Sequence, residues 1–417
     1  MTALDDARLD ALRRAGDRDA DDLVARLRAG HEHLDDRDLV RLILDQVRSR
    51  DPGPNPPLHD WLFAGPDAPD WFDAERVRAG QDFFADWALP ICTLLFCAAL
   101  PQAYAAADGV QVLALTSDLA TGDLRRRIAE TGQMLVDVMD LGGERPEVLR
   151  PGGQGYLTLR GVRLLHAAVR QVLTAGDTAG DASTRTCDEG VVSRWCDDWG
   201  VPVNQEDLLG TLLTFTVCTL RGLDRLGIPY DPAAADAYLH TWCVVGALLG
   251  IHPDLLPIDR AEAERLADLI ARRHHRHCPA GERLMAVLLA EMELAMPRGL
   301  RRLPATLVRH VVPRAVADVL RVPPAAWWSP LLELTRAAGP VLGRLPGGRR
   351  VLQAPSALLG RSMIRMFVDR SLRDEQPVFR IDAVAAADLA IATSVGRRRL
   401  RDRRRAVRVR RQEVMAA

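Results

Sequence analysis

The chain of 417 residues contains no lysine, so that all 55 of its Lys and Arg positions are arginine. Without lysine the protein can form no Schiff base, has no phosphate-loop lysine and offers no lysine ligand to a metal. Its formal net charge is only -1, since 56 acidic residues balance the arginines. A molecule with this overall charge is not predicted to bind nucleic acid as a whole.

Cysteine is also scarce: the chain has 7 cysteines, an odd number, and no CxxC pair. This pattern excludes a disulfide framework, a structural zinc site and the CxxCH attachment of covalent haem. A reducing compartment fits such a chain. The first 30 residues are highly charged and show no apolar core, so no signal peptide is predicted. We therefore expect a cytoplasmic protein.

Sustained two-residue alternation of apolar and polar side chains is missing, and helical periodicity runs from about residue 61 to about residue 297. The sequence therefore predicts an all-α fold. The apolar stretch at 88–107 has the length of a membrane span, but Pro90 and Pro101 interrupt it, which favours a buried core helix. The clearest helical runs are residues 124–139, 162–173, 205–226, 233–249 and 261–273.

Proline clusters divide the chain into three parts. We predict an N-terminal helical extension with a proline-rich linker at residues 1–57, a large helical domain at 58–297, and a C-terminal helical extension at 298–417. The last part ends in a tail rich in arginine at 397–411. This tail either is solvated or makes peripheral contact with an anionic membrane surface.

The strongest candidate for a cofactor site is the segment 163–170, which reads Arg-Leu-Leu-His-Ala-Ala-Val-Arg. On a helix, Arg163, His166 and Arg170 lie along one side. The imidazole can bind a metal while the two guanidinium groups hold the acidic groups of the molecule that carries it. Haem needs this combination of an axial nitrogen and cations for two propionates. The alternative is a buried histidine between two solvated arginines.

Other polar motifs favour structural roles. Within the tract His-His-Arg-His-Cys at 274–278, neighbouring residues point in different directions on a helix, so a polar helix end is expected rather than a metal site. Glu206 and Asp207 follow Asn204, a predicted N-cap, and are expected to be solvated charges. His240 is a second, weaker candidate for an iron ligand.

Several segments in a fixed order resemble the latex clearing protein and MpaB-type oxygenase family, over residues from about 69 to about 289. No single segment is specific, but their ordered combination is. The segments are 99–104 (Ala-Leu-Pro-Gln-Ala-Tyr), 109–113 (Gly-Val-Gln-Val-Leu), 127–131 (Arg-Ile-Ala-Glu-Thr), the 163–170 motif, 199–208 (Trp-Gly-Val-Pro-Val-Asn-Gln-Glu-Asp-Leu), 214–215 (Thr-Phe), 238–242 (Tyr-Leu-His-Thr-Trp) and 246–251 (Gly-Ala-Leu-Leu-Gly-Ile).

The resemblance implies an all-helical fold with a globin-like core that holds non-covalent haem b. His166 matches the iron ligand of the family. Arg163 and Arg170 match the flanking arginines, which would serve the propionates or orient the helix. Arg127 and Thr131 match the distal arginine and threonine, whose guanidinium and hydroxyl can hydrogen-bond negative charge that develops on oxygen.

Two departures separate this chain from the rubber-cleaving members. No secretion signal is visible, and Glu130 replaces the lysine that they carry beside the distal arginine and threonine. A glutamate cannot act as a neutral amine ligand, although it can accept a proton. We therefore expect a haem b oxygenase that uses dioxygen on a small, apolar, isoprenoid-like substrate. The alternatives are a non-catalytic haem sensor or carrier, a peroxidase-like oxidoreductase, and an interaction protein that has lost the cofactor.

Overall fold

The structure is a computed structural model. It describes residues 4–31, 56–66, 68–120, 124–141, 147–175, 195–324 and 329–345, together with single positions at 38, 348, 353, 356 and 357. The arginine-rich tail, Trp327, Trp328 and most of the predicted proline-rich linker lie outside these residues.

The described part of the chain folds into helices and contains no strand, apart from one isolated bridge between Ala106 and His275. This confirms the predicted all-α fold. In chain order the helices are α1 (Asp6–Arg13), α2 (Arg18–Ala29), α3 (Pro56–Phe63), α4 (Ala74–Asp86), α5 (Ala88–Leu94), α6 (Leu100–Ala105), α7 (Val110–Ala120), α8 (Leu124–Val138), α9 (Gln154–Ala175), α10 (Gln205–Leu213), α11 (Thr219–Arg225), α12 (Pro232–Leu248), α13 (Arg260–His274), α14 (Pro279–Leu294), α15 (Leu303–Val311), α16 (Arg314–Val319) and α17 (Ser329–Arg344).

Local sequence explains where several helices begin. An Asp or Asn side chain precedes the first helical residue and accepts a hydrogen bond from a free backbone N–H of the first turn. Asn204, predicted as an N-cap, accepts from the Asp207 amide at 2.9 Å. The same geometry is found at Asp5, Asp17, Asp73 and Asp259.

Two helices, α4 and α12, cross closely at the centre of the molecule. Gly80 permits this approach, because a Cβ at that position would lie 2.5 Å from the carbonyl oxygen of Ala237. Thr241 of α12 donates a hydrogen bond to the Val77 carbonyl across the same contact, at 3.3 Å. Helix α12 is buried along most of its length, so that it forms the centre of the core.

The apolar stretch that could be mistaken for a membrane span is broken into α5, a π-helical turn at Leu95–Ala99, and α6. By length and composition Ala88–Ala105 could cross a membrane, but 61% of it is buried inside the fold. It therefore behaves as the core helix that the sequence predicted. A second π-helical turn, Thr214–Cys218, lies within the predicted run 205–226.

The N-terminal helices pack onto the central part of the chain. Helix α1 contacts α10, and α2 lies along α9. The inner face of α2 buries four apolar residues, namely Ala20, Leu23, Val24 and Leu27. The N-terminal extension proposed from sequence therefore contributes to the same core as the helices that carry the candidate site.

Candidate functional site

The candidate ligand His166 lies in the middle of α9 and is partly buried. Its Nδ1 is enclosed and has no hydrogen-bond partner. Burial lowers the pKa of His166 to about 4, and the nearby Arg170 cation adds to this effect while Asp17 opposes it. The imidazole is consequently neutral at pH 7, which is the form that binds a metal.

The two arginines that flank His166 form ion pairs with aspartates at the start of α2. Arg163 forms a two-pronged pair with Asp17, including an Nη2–Oδ1 contact of 2.7 Å, and also reaches Asp19 at 3.4 Å. Arg170 donates from Nε to Asp21 at 2.7 Å. Only 12% of the Arg163 side chain and 5% of the Arg170 side chain are exposed. The alternative of two solvated arginines is therefore wrong, because three carboxylates near the start of α2 compensate their charge.

Two glycines make room for these ion pairs. A Cβ at Gly250, where φ is +87°, would lie 2.6 Å from both Arg163 Nε and Asp17 Oδ2. A Cβ at Gly16 would lie 2.7 Å from Asp21 Oδ2. The buried Gln205 side chain donates to the carbonyl oxygens of Gly16 and Gly250 at 3.0 and 2.9 Å. Gln205 and Gly250, which both belong to the sequence motifs, thus help to hold the ion pairs of the His166 helix in place.

The second group of predicted site residues lies on α8, which packs beside α9. Arg127 donates to the Leu113 carbonyl at 2.9 Å and to the Thr116 hydroxyl at 2.7 Å, so it ties α8 to α7. Burial lowers the pKa of Arg127, although the nearby Glu130 opposes the shift. Both of these hydrogen-bond acceptors are neutral, and Glu130 is the anionic group nearby.

Helices α8 and α9 are joined near the end of α8, where Thr158 donates to Asp137 at 2.7 Å. Glu130 lies close enough to Arg127 for its charge to oppose the lowering of the Arg127 pKa by burial. Thr131 is exposed, and its hydroxyl donates to the Arg127 carbonyl at 2.9 Å. No hydrogen bond between described residues joins His166 to Arg127 or Thr131.

The weaker candidate His240 already has partners. Its Nε2 accepts the Asp73 amide at 3.4 Å, and its ring packs edge-on against Trp71. Burial, followed by the nearby Arg76, lowers its pKa to about 4. His240 is thus a neutral, hydrogen-bonded histidine of the core, whereas His166 has an unpartnered ring nitrogen.

Of the two predicted solvated charges, Glu206 is buried and Asp207 is partly buried. The Glu206 side chain is fully enclosed and accepts from His274 Nε2 at 2.8 Å and Arg273 Nε at 2.8 Å. Arg13 of α1 donates to Glu206 and Asp207 at 3.3 and 3.1 Å. The expectation of solvated charges was wrong because the first turn of α10 faces both α1 and the end of α13. We call these five residues the buried charge cluster.

The histidine tract has separate partners for its members. Burial by itself would lower the pKa of His274, but Asp108 and Glu206 outweigh burial and raise it. His277 contacts Glu282 at 3.0 Å, and the Cys278 sulfur caps α14 by accepting from the Gly281 amide. Among the described residues no group of three or more potential metal ligands occurs.

Cys196 departs from the sequence expectation, since it is disulfide-bonded. Five other cysteines are free and buried, namely Cys92, Cys97, Cys218, Cys243 and Cys278. Such a bond is unusual for the reducing compartment that we inferred from cysteine usage. The cytoplasmic location remains a prediction.

Acid should destabilise the cofactor-free protein before its carboxylates titrate. The pKa values of His166, His240 and His275 lie at about 4 because burial disfavours the cation, whereas an unfolded histidine titrates near 6.5. As pH falls from about 6.5 to about 4, the unfolded chain binds protons and the folded chain does not, so stability decreases. His166 alone accounts for a loss of about 3 kcal/mol by pH 4.

Urea unfolding between pH 7 and pH 4 measures this loss. His166→Gln, which cannot titrate, should weaken the pH dependence relative to the parent. If stability falls equally steeply with pH in the variant and the parent, His166 has the same pKa in the folded and unfolded protein, and the lowered pKa is contradicted.

Comparisons with known proteins agree with the helical architecture. A family model described as "ER-bound oxygenase mpaB/B'/Rubber oxygenase, catalytic domain" matches residues 77–344. The protein "Rubber oxygenase" of Streptomyces sp. (strain K30) is 27% identical over 248 residues, 57% of this chain and 53% of that protein. The chain thus spans about half the length of this relative.

A solved structure, "Structure of Latex Clearing Protein LCP in the closed state", superposes with a TM-score of 0.62 at 22% identity. The superposition covers 88% of this chain and 91% of that chain. At this level of identity the likeness shows the shared all-α fold.

Proposed function

The chain belongs to the family of ER-bound oxygenase mpaB/B' and rubber oxygenase catalytic domains, and from this premise we propose that it is a haem b-dependent oxygenase. Its substrate is an apolar, isoprenoid-like alkene, which it oxidises with dioxygen by cleaving a carbon–carbon double bond or by a related oxidation. Family membership supports the oxygenase class. The haem and the substrate class are our inferences from the site and from the resemblance of its motifs.

The observation that carries the proposal is the state of His166. A neutral imidazole whose enclosed Nδ1 has no hydrogen-bond partner would fit a histidine that holds haem iron. A group held by one histidine needs no cluster of ligands, in keeping with the described residues. When bound, haem would supply the iron centre at which dioxygen and the alkene react.

The residues of α8 would assist this chemistry from the neighbouring helix. Arg127 keeps its positive charge, so its guanidinium can donate hydrogen bonds to negative charge that develops on oxygen. Glu130, next to Arg127, would be able to accept or return a proton. Thr131 would contribute a hydroxyl only after turning from its own helix, since it now donates to the Arg127 carbonyl.

An absorption spectrum tests the cofactor first. The purified protein, reconstituted with haem, should show a Soret band that shifts after dithionite and again after carbon monoxide. Addition of an isoprenoid alkene such as squalene should then cause oxygen uptake and yield carbonyl products. A Soret band without turnover of any alkene would identify a haem carrier or sensor, and a colourless protein would overturn the haem assignment.

Peripheral membrane contact would suit an enzyme with a lipid-soluble substrate. Helix α17 leaves Leu334 and Val341 exposed, and Leu345, directly after the helix, is exposed as well. We expect the full chain to sediment with vesicles that contain anionic lipid and to remain in solution with neutral vesicles. Equal recovery in both supernatants would remove this proposal.

A further inference from the structure

The contacts between α2 and α9 suggest a role for the N-terminal helix that the family match does not cover. We propose that α2 is a strap that closes the His166 site, and that Asp17 and Asp21 are positioning residues acting through Arg163 and Arg170. The inference rests on the proposed function, since it assigns the strap to the haem site. The matched family segment begins at residue 77, whereas the strap spans Arg18–Ala29.

The ion pairs that hold the strap are largely removed from solvent. Only 5% of the Asp17 side chain is exposed, and it meets both Nε and Nη2 of Arg163. The Asp21 side chain is 36% exposed and pairs with the almost fully buried Arg170. A guanidinium buried to this extent requires a carboxylate partner, because an unpaired buried charge is strongly unfavourable.

The backbone around these ion pairs leaves space for them, unlike the backbone at a chance surface contact. Gly16 and Gly250 leave the space that the paired side chains fill, and Gln205 joins the backbones of both glycines. Arg170 also donates from Nη1 to the Val203 carbonyl at 3.0 Å. Three separate chain segments therefore converge on the two arginines that flank His166.

The strap also brings negative charge to the candidate ligand. Arg163 and Arg170 lie one turn before and one turn after His166, and the strap fixes both. Asp17 interacts electrostatically with the His166 ring. The strap thus orients the ligand helix and sets the charge beside the ligand, and a haem propionate could reach either arginine only by displacing a carboxylate of the strap.

The test replaces both acids in the full-length protein by the double substitution Asp17→Asn and Asp21→Asn. Asparagine caps a helix as well as aspartate does, so the α2 cap formed by Asp17 is kept while the charge is lost. Asp22→Asn is the matched control, since Asp22 lies on the same helix and is exposed. If the double variant is poorly folded, Asp21→Asn alone removes the less buried pair.

Three quantities are measured: hydrogen exchange of residues 17–29 and 163–170, the rate of haem transfer to an acceptor apoprotein, and the reduction potential. In the double variant we expect faster exchange in both segments, haem release that is at least tenfold faster, and a more positive potential because a negative charge beside His166 is lost. The Asp22→Asn control should match the parent in all three.

Two results would overturn the strap: unchanged exchange in residues 17–29, or faster exchange there with parental haem release and potential. The second result would show that α2 is only a structural neighbour. A parent protein that binds no haem would instead refute the proposed function. Exchange in residues 163–170 would then still show whether the strap holds the ligand helix.

Discussion

Replacement of His166 by alanine is expected to abolish the Soret band of the haem-reconstituted protein and all oxygen uptake with an alkene. The fold should persist, because the side chain removed is uncharged and its enclosed Nδ1 makes no hydrogen bond that the fold would lose. The remaining cavity should cost about 2 kcal/mol, which a core of this size tolerates. Absorption spectra and far-ultraviolet circular dichroism of the same sample separate these two effects.

A matched control and a rescue experiment make this result specific. His240→Ala removes another buried histidine with a pKa of about 4, but its nitrogen already accepts the Asp73 amide, so this variant should keep its haem. In His166→Gly, free imidazole should enter the vacated space and restore the Soret band. Full haem occupancy in His166→Ala, or loss of haem only in His240→Ala, would contradict the assignment.

Local patterns were sufficient to predict the helices, because helical periodicity and capping residues act over a few neighbouring positions. The predicted runs 233–249 and 261–273 differ from α12 and α13 by one residue at each end. The predicted cap at Asn204 was confirmed for the same reason. Arg163, His166 and Arg170 lie on one helix, as their three-residue and four-residue spacing indicated.

Partners that are distant in sequence could not be predicted in this way. Asp17 and Arg163 are 146 positions apart, and nothing in the acidic N-terminal segment shows which cations it meets. The two glycines and Gln205 that accommodate the pair act only after the chain has folded. Local patterns therefore indicated the helix of the candidate ligand, but not the carboxylates of α2 that pair with its arginines.

The buried charge cluster was missed for a related reason. Glu206 and Asp207 read as helix-cap acids, and His274 read as part of a polar helix end, when each segment was considered alone. The opposite charges of these segments come together only in the folded protein, where α10, α13 and α1 pack against one another. An acidic pair and a basic tract with no other role in the same chain indicate that such a cluster can form. The sequence does not show which residues pair with one another.

The largest loss of stability is expected from Glu206→Gln, which keeps the shape of the side chain and removes its charge. Arg13, Arg273 and His274 would then lose the buried carboxylate with which all three pair. Breaking a buried ion pair by neutralising one partner costs about 3–5 kcal/mol. Urea unfolding at pH 7, followed by circular dichroism, measures the difference from the parent.

Asp10→Asn is the matched control, because Asp10 also pairs with Arg273, at 2.6 Å, but its side chain is 68% exposed. An exposed pair contributes little to stability because solvent screens it, so the control should remain close to the parent. A Glu206→Gln variant that loses no more stability than Asp10→Asn would show that the buried charges are not coupled to folding.

The same cluster predicts how stability depends on pH. Burial by itself would raise the pKa of Glu206, but hydrogen bonds from His274 and Arg273 outweigh burial and lower it. Glu206 therefore stabilises the fold above its unfolded pKa, and this contribution disappears as pH falls through the lower, folded value. The raised pKa of His274 has the opposite sign, so its contribution is complete below about pH 6.5 and is lost as pH rises through the folded value. In Glu206→Gln the His274 pKa should fall toward its ordinary value, which would flatten the alkaline side of the stability profile and not only lower it.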